Sequence, residues 1–153
     1  MKILGIGNAI VDVICKVEDD FIQKNGLTKS TMKLIFEEKE FKQLLSNLKI
    51  EKTVSGGSVA NSIVGLSQLK NEVGFIGKVS DDELGEKYEE GLKEENVQYF
   101  YSKKKEELPT GTCLILVTPD SERTMCTFLG TAGKINENDV DTDAIKKSEI
   151  ILL

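Results

Sequence analysis

The chain has 153 residues, 39% hydrophobic and 30% charged, with 20 Lys and Arg against 26 Asp and Glu for a net charge of −6. That balance suits one globular domain with a sizeable core, and without a long basic cluster it argues against a nucleic-acid partner, because phosphate-backbone binding draws on clustered Lys and Arg. Histidine is absent, which removes the usual triads, His-containing zinc sites and any imidazole general base, and leaves Asp, Asn, Ser, Thr, Arg, Lys and backbone amides for chemistry.

The opening MKILGIGNAIVDVICKV is apolar enough to raise the question of a signal peptide. Asn8 and Asp12 interrupt it, however, and no small-residue cleavage site follows. No segment reaches the roughly 20 apolar residues that span a bilayer. Cys15, Cys113 and Cys126 are odd in number and too far apart for a CxxC site, so they read as reduced thiols. A cytoplasmic location without membrane attachment is expected, and no metal site is predicted.

Ile3 to Ile6 is a short apolar run closed by Gly7 and Asn8, which predicts a buried strand. Val11, Val13 and Cys15 alternate with Asp12, Ile14 and Lys16, a second extended piece. Between Glu37 and Leu48, the side chains Phe41, Leu44, Leu45 and Leu48 fall at i, i+3, i+4 and i+7, an amphipathic helix. After Gly57 a second helix carries Val59, Ala60, Ile63, Val64, Leu66 and Leu69 around much of its circumference and is expected to be largely buried. Val73 to Ile76 predicts a strand, and Ser80-Asp81-Asp82-Glu83 has the pattern of a capping box opening a third helix, with Leu84, Tyr88 and Leu92 on its inner face.

The charged run Ser102 to Glu107 is expected to be a solvated loop. Thr112 to Val117 and Thr124 to Leu129 are β-rich runs joined by the turn residues 118–123. Ile150 to Leu153 predicts a buried strand with neighbours on both sides, and with no covering helix after it the chain is expected to be the front part of a longer protein. Alternating strands and helices predict an α/β domain with a mainly parallel sheet. The hairpin suits a flap or lid, although an edge hairpin is equally compatible.

Two glycine patterns fail the familiar nucleotide tests. Gly5-Ile6-Gly7-Asn8-Ala9-Ile10 has Ile10 at the third position of G-x-G-x-x-G, where glycine permits close helix–strand packing, so a nicotinamide oxidoreductase is disfavoured. Gly133-Lys134 has Phe128 where a P-loop opens with glycine and Ile135 where it needs Ser or Thr. The stretch SGGSVANSI, 55–63, instead puts Gly56 and Gly57 at a helix start with Asn61 just inside. Orphan N–H groups and an amide side chain offer donors and an acceptor to a polyol. A tight-packing turn with Asn61 satisfying backbone is the structural alternative. Asp12, set among Ile10, Val11, Val13 and Ile14, either faces a pocket or lies on an exposed strand face. Asn8 either meets ligand or caps a turn.

Together these pieces resemble the PfkB carbohydrate kinase family, the ribokinase and adenosine kinase group. GNAIVDV at 7–13 is similar to its first strand and substrate-binding aspartate, and SGGSVANSI to its first signature. IGKVSDDELGE at 76–86 resembles its G-x-V-G-x-D-x-x-G segment, and PTGTCLILVTPDSERT at 109–124 its lid hairpin. The GNAIVD and PTGTC wording leans toward the adenosine-kinase-like branch.

The resemblance implies a ribokinase-like three-layer α/β/α domain with a small β-sheet lid. Residues 1–153 would be its N-terminal part, with lid elements near 11–17 and 110–129. It implies an ATP-dependent sugar or nucleoside kinase using Mg2+, with Asp12 and Asn8 holding acceptor hydroxyls, Gly56 and Gly57 admitting the sugar, and Asn61 contacting another hydroxyl. Cys113, Met125 and Leu129 would close over the substrate as lid residues; plain hairpin packing is the alternative. It also admits a homodimer through the lid.

Ser80 stands where the family usually has glycine, which trades a turn residue for a helix cap. Arg123, in the hairpin turn, is expected to be exposed. The family's G-A-G-D motif, which supplies the anion hole and catalytic aspartate, has no match here. No catalytic residue is therefore assigned, and the C-terminal nucleotide-binding part is expected to lie elsewhere in the same protein. A non-catalytic sugar- or nucleoside-sensing module is the alternative function.

Overall fold

Two sheets, joined where the chain steps from the first strand directly into the second, organise the computed structural model of residues 1–153. In order, the elements are β1 (Ile3–Ile6), β2 (Ile10–Lys16), α1 (Asp19–Lys24), β3 (Met32–Leu34), α2 (Glu38–Ser46), β4 (Ile50–Gly56) and α3 (Ser58–Gln68). There follow β5 (Val73–Ile76), α4 (Glu83–Glu94), β6 (Gln98–Tyr99), β7 (Gly111–Val117), β8 (Arg123–Phe128), α5 (Thr142–Lys146) and β9 (Ile150–Leu152). The first sheet has the order β6-β5-β1-β9 and is wholly parallel.

Successive strand residues face opposite sides, and the first sheet uses both. Ile3, Val73 and Phe75 join the core shared with α3 and α4, whereas Leu4, Ile6 and Ile76 pack with Ala144 and Ile145 of α5. The result is the expected three-layer α/β/α arrangement. The second sheet has the order β3-β8-β7-β2-β4, with β2 parallel to β7 and antiparallel to β4. Its inner residues Val11, Val13, Leu114, Cys126 and Phe128 bury against Ile22 of α1 and Phe41 and Leu44 of α2. Phe41 stacks on Phe128 with ring centroids 5.5 Å apart.

The sheet expected from residues 11–17 and 110–129 is thus larger than predicted, because β3 and β4 add to its two edges. β3 is only three residues long, and β4 carries Glu51 and Lys52 with few apolar residues, so neither stands out locally. Leu129 falls outside β8, in a right-handed helical conformation at the start of a tight 3-10 turn over Gly130–Lys134. The helix after Gly57 is less buried than expected. Ala60, Ile63 and Ser67 face the core, while Asn61 and Ser62 are exposed. At the end of the chain β9 pairs only with β1, so Ile150 is 56% exposed at an open sheet edge rather than flanked on both sides.

Two further expectations are corrected. Ser80 does not cap α4: its N–H donates to Thr110 Oγ1 at 3.0 Å and its backbone bridges to Lys104, which draws it off the helix line. Asp82 takes the N-cap instead, accepting from the N–H of Gly85 at 2.8 Å.

Nor is 102–107 simply a solvated loop. Lys78, buried just after β5, lies 2.9 Å from Asp139 and 3.4 Å from Glu106, and Tyr101 donates to Glu106 at 2.8 Å. A buried ammonium requires neutralisation, and that need draws in the two carboxylates from distant segments. Burial works against both charges. It pulls the Lys78 pKa down and pushes that of Asp139 up, but mutual pairing outweighs it, leaving Lys78 raised and Asp139 lowered.

Lys78→Met should leave two buried carboxylates without their shared cation and cost about 3 kcal/mol of stability, read from urea unfolding at neutral pH. Because the folded-state pKa of Asp139 is depressed, its stabilising contribution is present above the ordinary value of 3.8 and lost as pH falls through the folded value. The acid decline in stability should therefore be shallower in the variant than in the parent.

Candidate functional site

The chain leaves the first sheet after Ile6, passes Gly7 and Asn8, and enters β2, whose third residue is Asp12. A strand therefore follows the glycine pair Gly5 and Gly7, which is why this G-x-G run cannot present the helix N-terminus a dinucleotide needs. Asp12 sits in the middle of the second sheet, in register with Cys113 on β7 and Val54 on β4. It is half-buried, no donor of the chain bonds its carboxylate, and its oxygens are not sealed from solvent. Removal from water pushes its pKa above the ordinary value.

What brings the Gly56–Gly57 bend to this carboxylate is the absence of side chains. A Cβ on Gly56 would lie 2.5 Å from Asp12 Oδ2, and one on Gly57 would collide with the carbonyl of Asn8. Gly57 also has φ of +99°, which L side chains rarely adopt. The bend thus fits against Asn8 and Asp12 themselves, and these four residues form one cluster. Beneath it, the wholly buried Tyr88 donates from its hydroxyl to the Gly56 carbonyl at 3.3 Å. Burial, reinforced by the charge of Asp12, raises the Tyr88 pKa far enough to keep it a donor.

Asn61 stands one helical turn beyond the cluster, its N–H donating to the Gly57 carbonyl at 2.8 Å. It is exposed on α3 and lines a groove of about 730 Å³ with Ser55, Val64, Lys87 and Gly91. A comparably wide groove between Lys16–Lys24 and Asn47–Lys49 has none of the candidate residues.

The candidate lid residues share the Asp12 side of the second sheet. Cys113 pairs in register with Thr127, and Ile115 with Met125, so the four side chains occupy one face. Leu129, although outside the strand, packs with Ile10, Cys113 and Ala132. Thr127 donates to Cys113 Sγ at 3.2 Å. Burial pushes the Cys113 thiol upward, the Thr127 hydrogen bond opposes this, and Asp12 adds to the rise, so the group stays a neutral thiol. Arg123 is exposed, as expected, but it is the first residue of β8, paired with Val117, rather than a turn residue.

Asp82 ties this sheet to the first. It accepts from the Thr110 N–H at 2.9 Å and the Thr110 hydroxyl at 2.7 Å while capping α4. Sequence reading missed the Asp82–Thr110 tie and the Tyr88 hydroxyl, since neither partner is near in the chain. The only local signal for Tyr88 was a phenol where α4 otherwise asks for Leu.

An unpartnered carboxylate, a bend with backbone groups and an apolar floor suit a ligand that donates hydroxyl hydrogens. The same spot does not fit ATP or Mg2+: a lone anion repels the triphosphate, and octahedral Mg2+ needs more oxygen ligands than Asp12 provides.

A pfkB family carbohydrate kinase model matches residues 6–153. The solved structure of adenosine kinase from Sinorhizobium meliloti superposes with a TM-score of 0.88 at 34% identity, covering 98% of this chain and 46% of that one. A 5-dehydro-2-deoxygluconokinase from Mesomycoplasma hyopneumoniae (strain 232) is 29% identical over 90% of this chain and 40% of its own length. Adenosine kinase 2 from Arabidopsis thaliana is 28% identical over 96% of this chain and 42% of its own. The chain thus spans less than half the length of these relatives.

Asp12→Asn should stabilise the fold at neutral pH, because it removes a desolvated charge that nothing compensates. A raised folded-state pKa means that the parent loses stability as pH rises from 3.8 through the folded value. Thermal unfolding of both forms between pH 3 and pH 8 should show the variant's advantage opening over that window and holding above it (about one proton's linkage).

Proposed function

The chain belongs to the pfkB family of carbohydrate kinases, and from that premise we propose that it forms the acceptor-binding part of an ATP-dependent sugar or nucleoside kinase. The γ-phosphoryl group passes to a primary hydroxyl of the acceptor. The observation that carries this reading is the half-buried carboxylate of Asp12, which has no donor of its own and lies against the Gly56–Gly57 bend. Two adjacent acceptor hydroxyls donate to Asp12, which orients the ring and aims the primary hydroxyl away from the second sheet. Asn8 shapes the rim of the same pocket, the Gly57 N–H offers a donor to the acceptor's oxygens, and Asn61 reaches a further hydroxyl from α3.

Cys113, Met125 and Leu129, with Ile115 and Thr127, form the lid over the bound acceptor. By displacing water, they prevent it from competing as phosphoryl acceptor. ATP would supply the phosphoryl group and Mg2+ would offset its charge, both held by groups outside residues 1–153. Residues 1–153 form the N-terminal part of one ribokinase-like domain, with the lid around 11–17 and 110–129 extended by β3 and β4. The groups that hold the triphosphate and take the hydroxyl proton lie outside this stretch, consistent with the 40–46% share of its relatives' length that it spans.

In the complete kinase, Asp12→Ala should raise the acceptor KM by about 10- to 150-fold, the worth of one or more hydrogen bonds to a charged group. The KM for ATP should stay nearly constant, and equal changes in both would remove Asp12 from the acceptor site. Adenosine and 5-dehydro-2-deoxygluconate are the first acceptors to compare by steady-state kinetics. The 153-residue chain alone should phosphorylate neither. Sustained turnover by it would refute the division of labour.

A further inference from the structure

The bend that faces the candidate acceptor is held from behind by a side chain with no role in the reading above. Tyr88 lies at the centre of α4 with 0% exposure, surrounded by aromatic rings: its centroid is 6.2 Å from Phe75 and 6.1 Å from Tyr99. Phe would satisfy that packing. The phenolic oxygen makes one hydrogen bond, to the carbonyl of Gly56 at 3.3 Å.

A trans peptide points its N–H opposite to its C=O, so fixing the Gly56 carbonyl toward α4 also fixes the Gly57 N–H away from it. No backbone carbonyl of the chain accepts that N–H. Gly57, at φ of +99°, has none of the steric restraint that would hold another residue's peptide plane in place.

α4 is well suited to act as a fixed reference. Tyr88 and Leu92 root it in the core beside Phe75 of the first sheet. Asp82 at its N-terminus holds Thr110, where β7 begins, and Ser55 at the end of β4 donates to the Tyr88 carbonyl at 3.3 Å. The strands so tied, β7 and β4, are the two neighbours of β2, which carries Asp12.

We infer that Tyr88 is a positioning residue for the acceptor site: its hydroxyl sets the Gly56–Gly57 peptide so that the Gly57 N–H stands as a preoriented donor opposite the Asp12 carboxylate. The inference rests on the acceptor-site reading. It extends that reading from the groups that touch the ligand to the one that aims them. Tyr88 does not touch the acceptor and acts only through the peptide.

The test is Tyr88→Phe, which removes one oxygen and keeps the ring. Amide NMR of the 153-residue chain should show the Gly57 signal shifted, while amides of β1 and β5 keep their exchange protection. Titration with adenosine, followed by calorimetry on the complete kinase, should give an affinity weakened by about 3- to 10-fold, the worth of one neutral hydrogen bond. The acceptor KM should rise with kcat held, and KM for ATP unchanged.

Asp82→Asn serves as a comparison: it loosens the same helix without touching the Gly56 peptide, so it should lower stability yet leave the Gly57 amide unmoved. A Gly57 amide identical in parent and Tyr88→Phe overturns the inference, whatever the ligand data. So does an unchanged adenosine affinity where the parent binds. If the parent binds neither adenosine nor 5-dehydro-2-deoxygluconate, the acceptor reading fails and the positioning claim for that site falls with it, even where the amide moves.

Discussion

A carboxylate half removed from water with nothing donating to it destabilises the chain that carries it, and the surroundings of Asp12 maintain that condition. Its neighbours in the sheet are a thiol and a valine, Cys113 and Val54, neither a strong donor. The carboxylate occupies the place a side chain on Gly56 would take, so that neighbour brings it no donor either. Relief by burial is blocked because β2 alternates, so that Val11 and Val13 take the core and Asp12 must take the other face. Relief by an ion pair is also missing, although lysines are plentiful in the chain. An acceptor group in that state is one whose hydrogen bonds are left for something other than the protein.

The rest of the fold can be understood as holding that open acceptor steady. β1 and β2 belong to different sheets yet are separated only by Gly7, Asn8 and Ala9, so the seam between the sheets runs past the site. Such a seam has few backbone ladders across it, and polar side chains supply the missing ties. Asp82 joins α4 to the start of β7, and the Lys78 cluster gathers Glu106 and Asp139 from either side of the β7–β8 hairpin. A buried charge cluster contributes little net stability against apolar packing of the same volume. Its geometry is nevertheless specific, because each carboxylate must reach one ammonium.

The second sheet shows the same division between its faces. One face is closed by α1 and α2 through Ile22, Phe41 and Leu44, and behaves as an ordinary core. The other carries Asp12, Cys113, Ile115, Met125 and Thr127, partly apolar and partly open. Met32 on β3 extends this face and is 55% exposed. A sheet with one sealed face and one open, weakly polar face has the form expected of a cover.

Patterns confined to a few residues were legible in the sequence because backbone geometry itself imposes them. Period-two alternation identified β2 and which of its residues turn inward, the i, i+3, i+4 spacing identified α2, and the glycine pair before a helical run marked the bend at Gly56–Gly57. The order of the motifs was enough to indicate the family. Other features needed the folded chain. That Asp12 rests on Gly56, that Tyr88 reaches the Gly56 carbonyl, and that Lys78 finds Asp139 are contacts between residues 32 to 61 positions apart for the last two, and no local period encodes a meeting at that separation. The β4 strand was hidden for a related reason: an edge strand with exposed Glu51 and Lys52 lacks the apolar alternation that betrays a buried one. Residue type and spacing determine which face a side chain takes, but only closure of the chain determines what it faces.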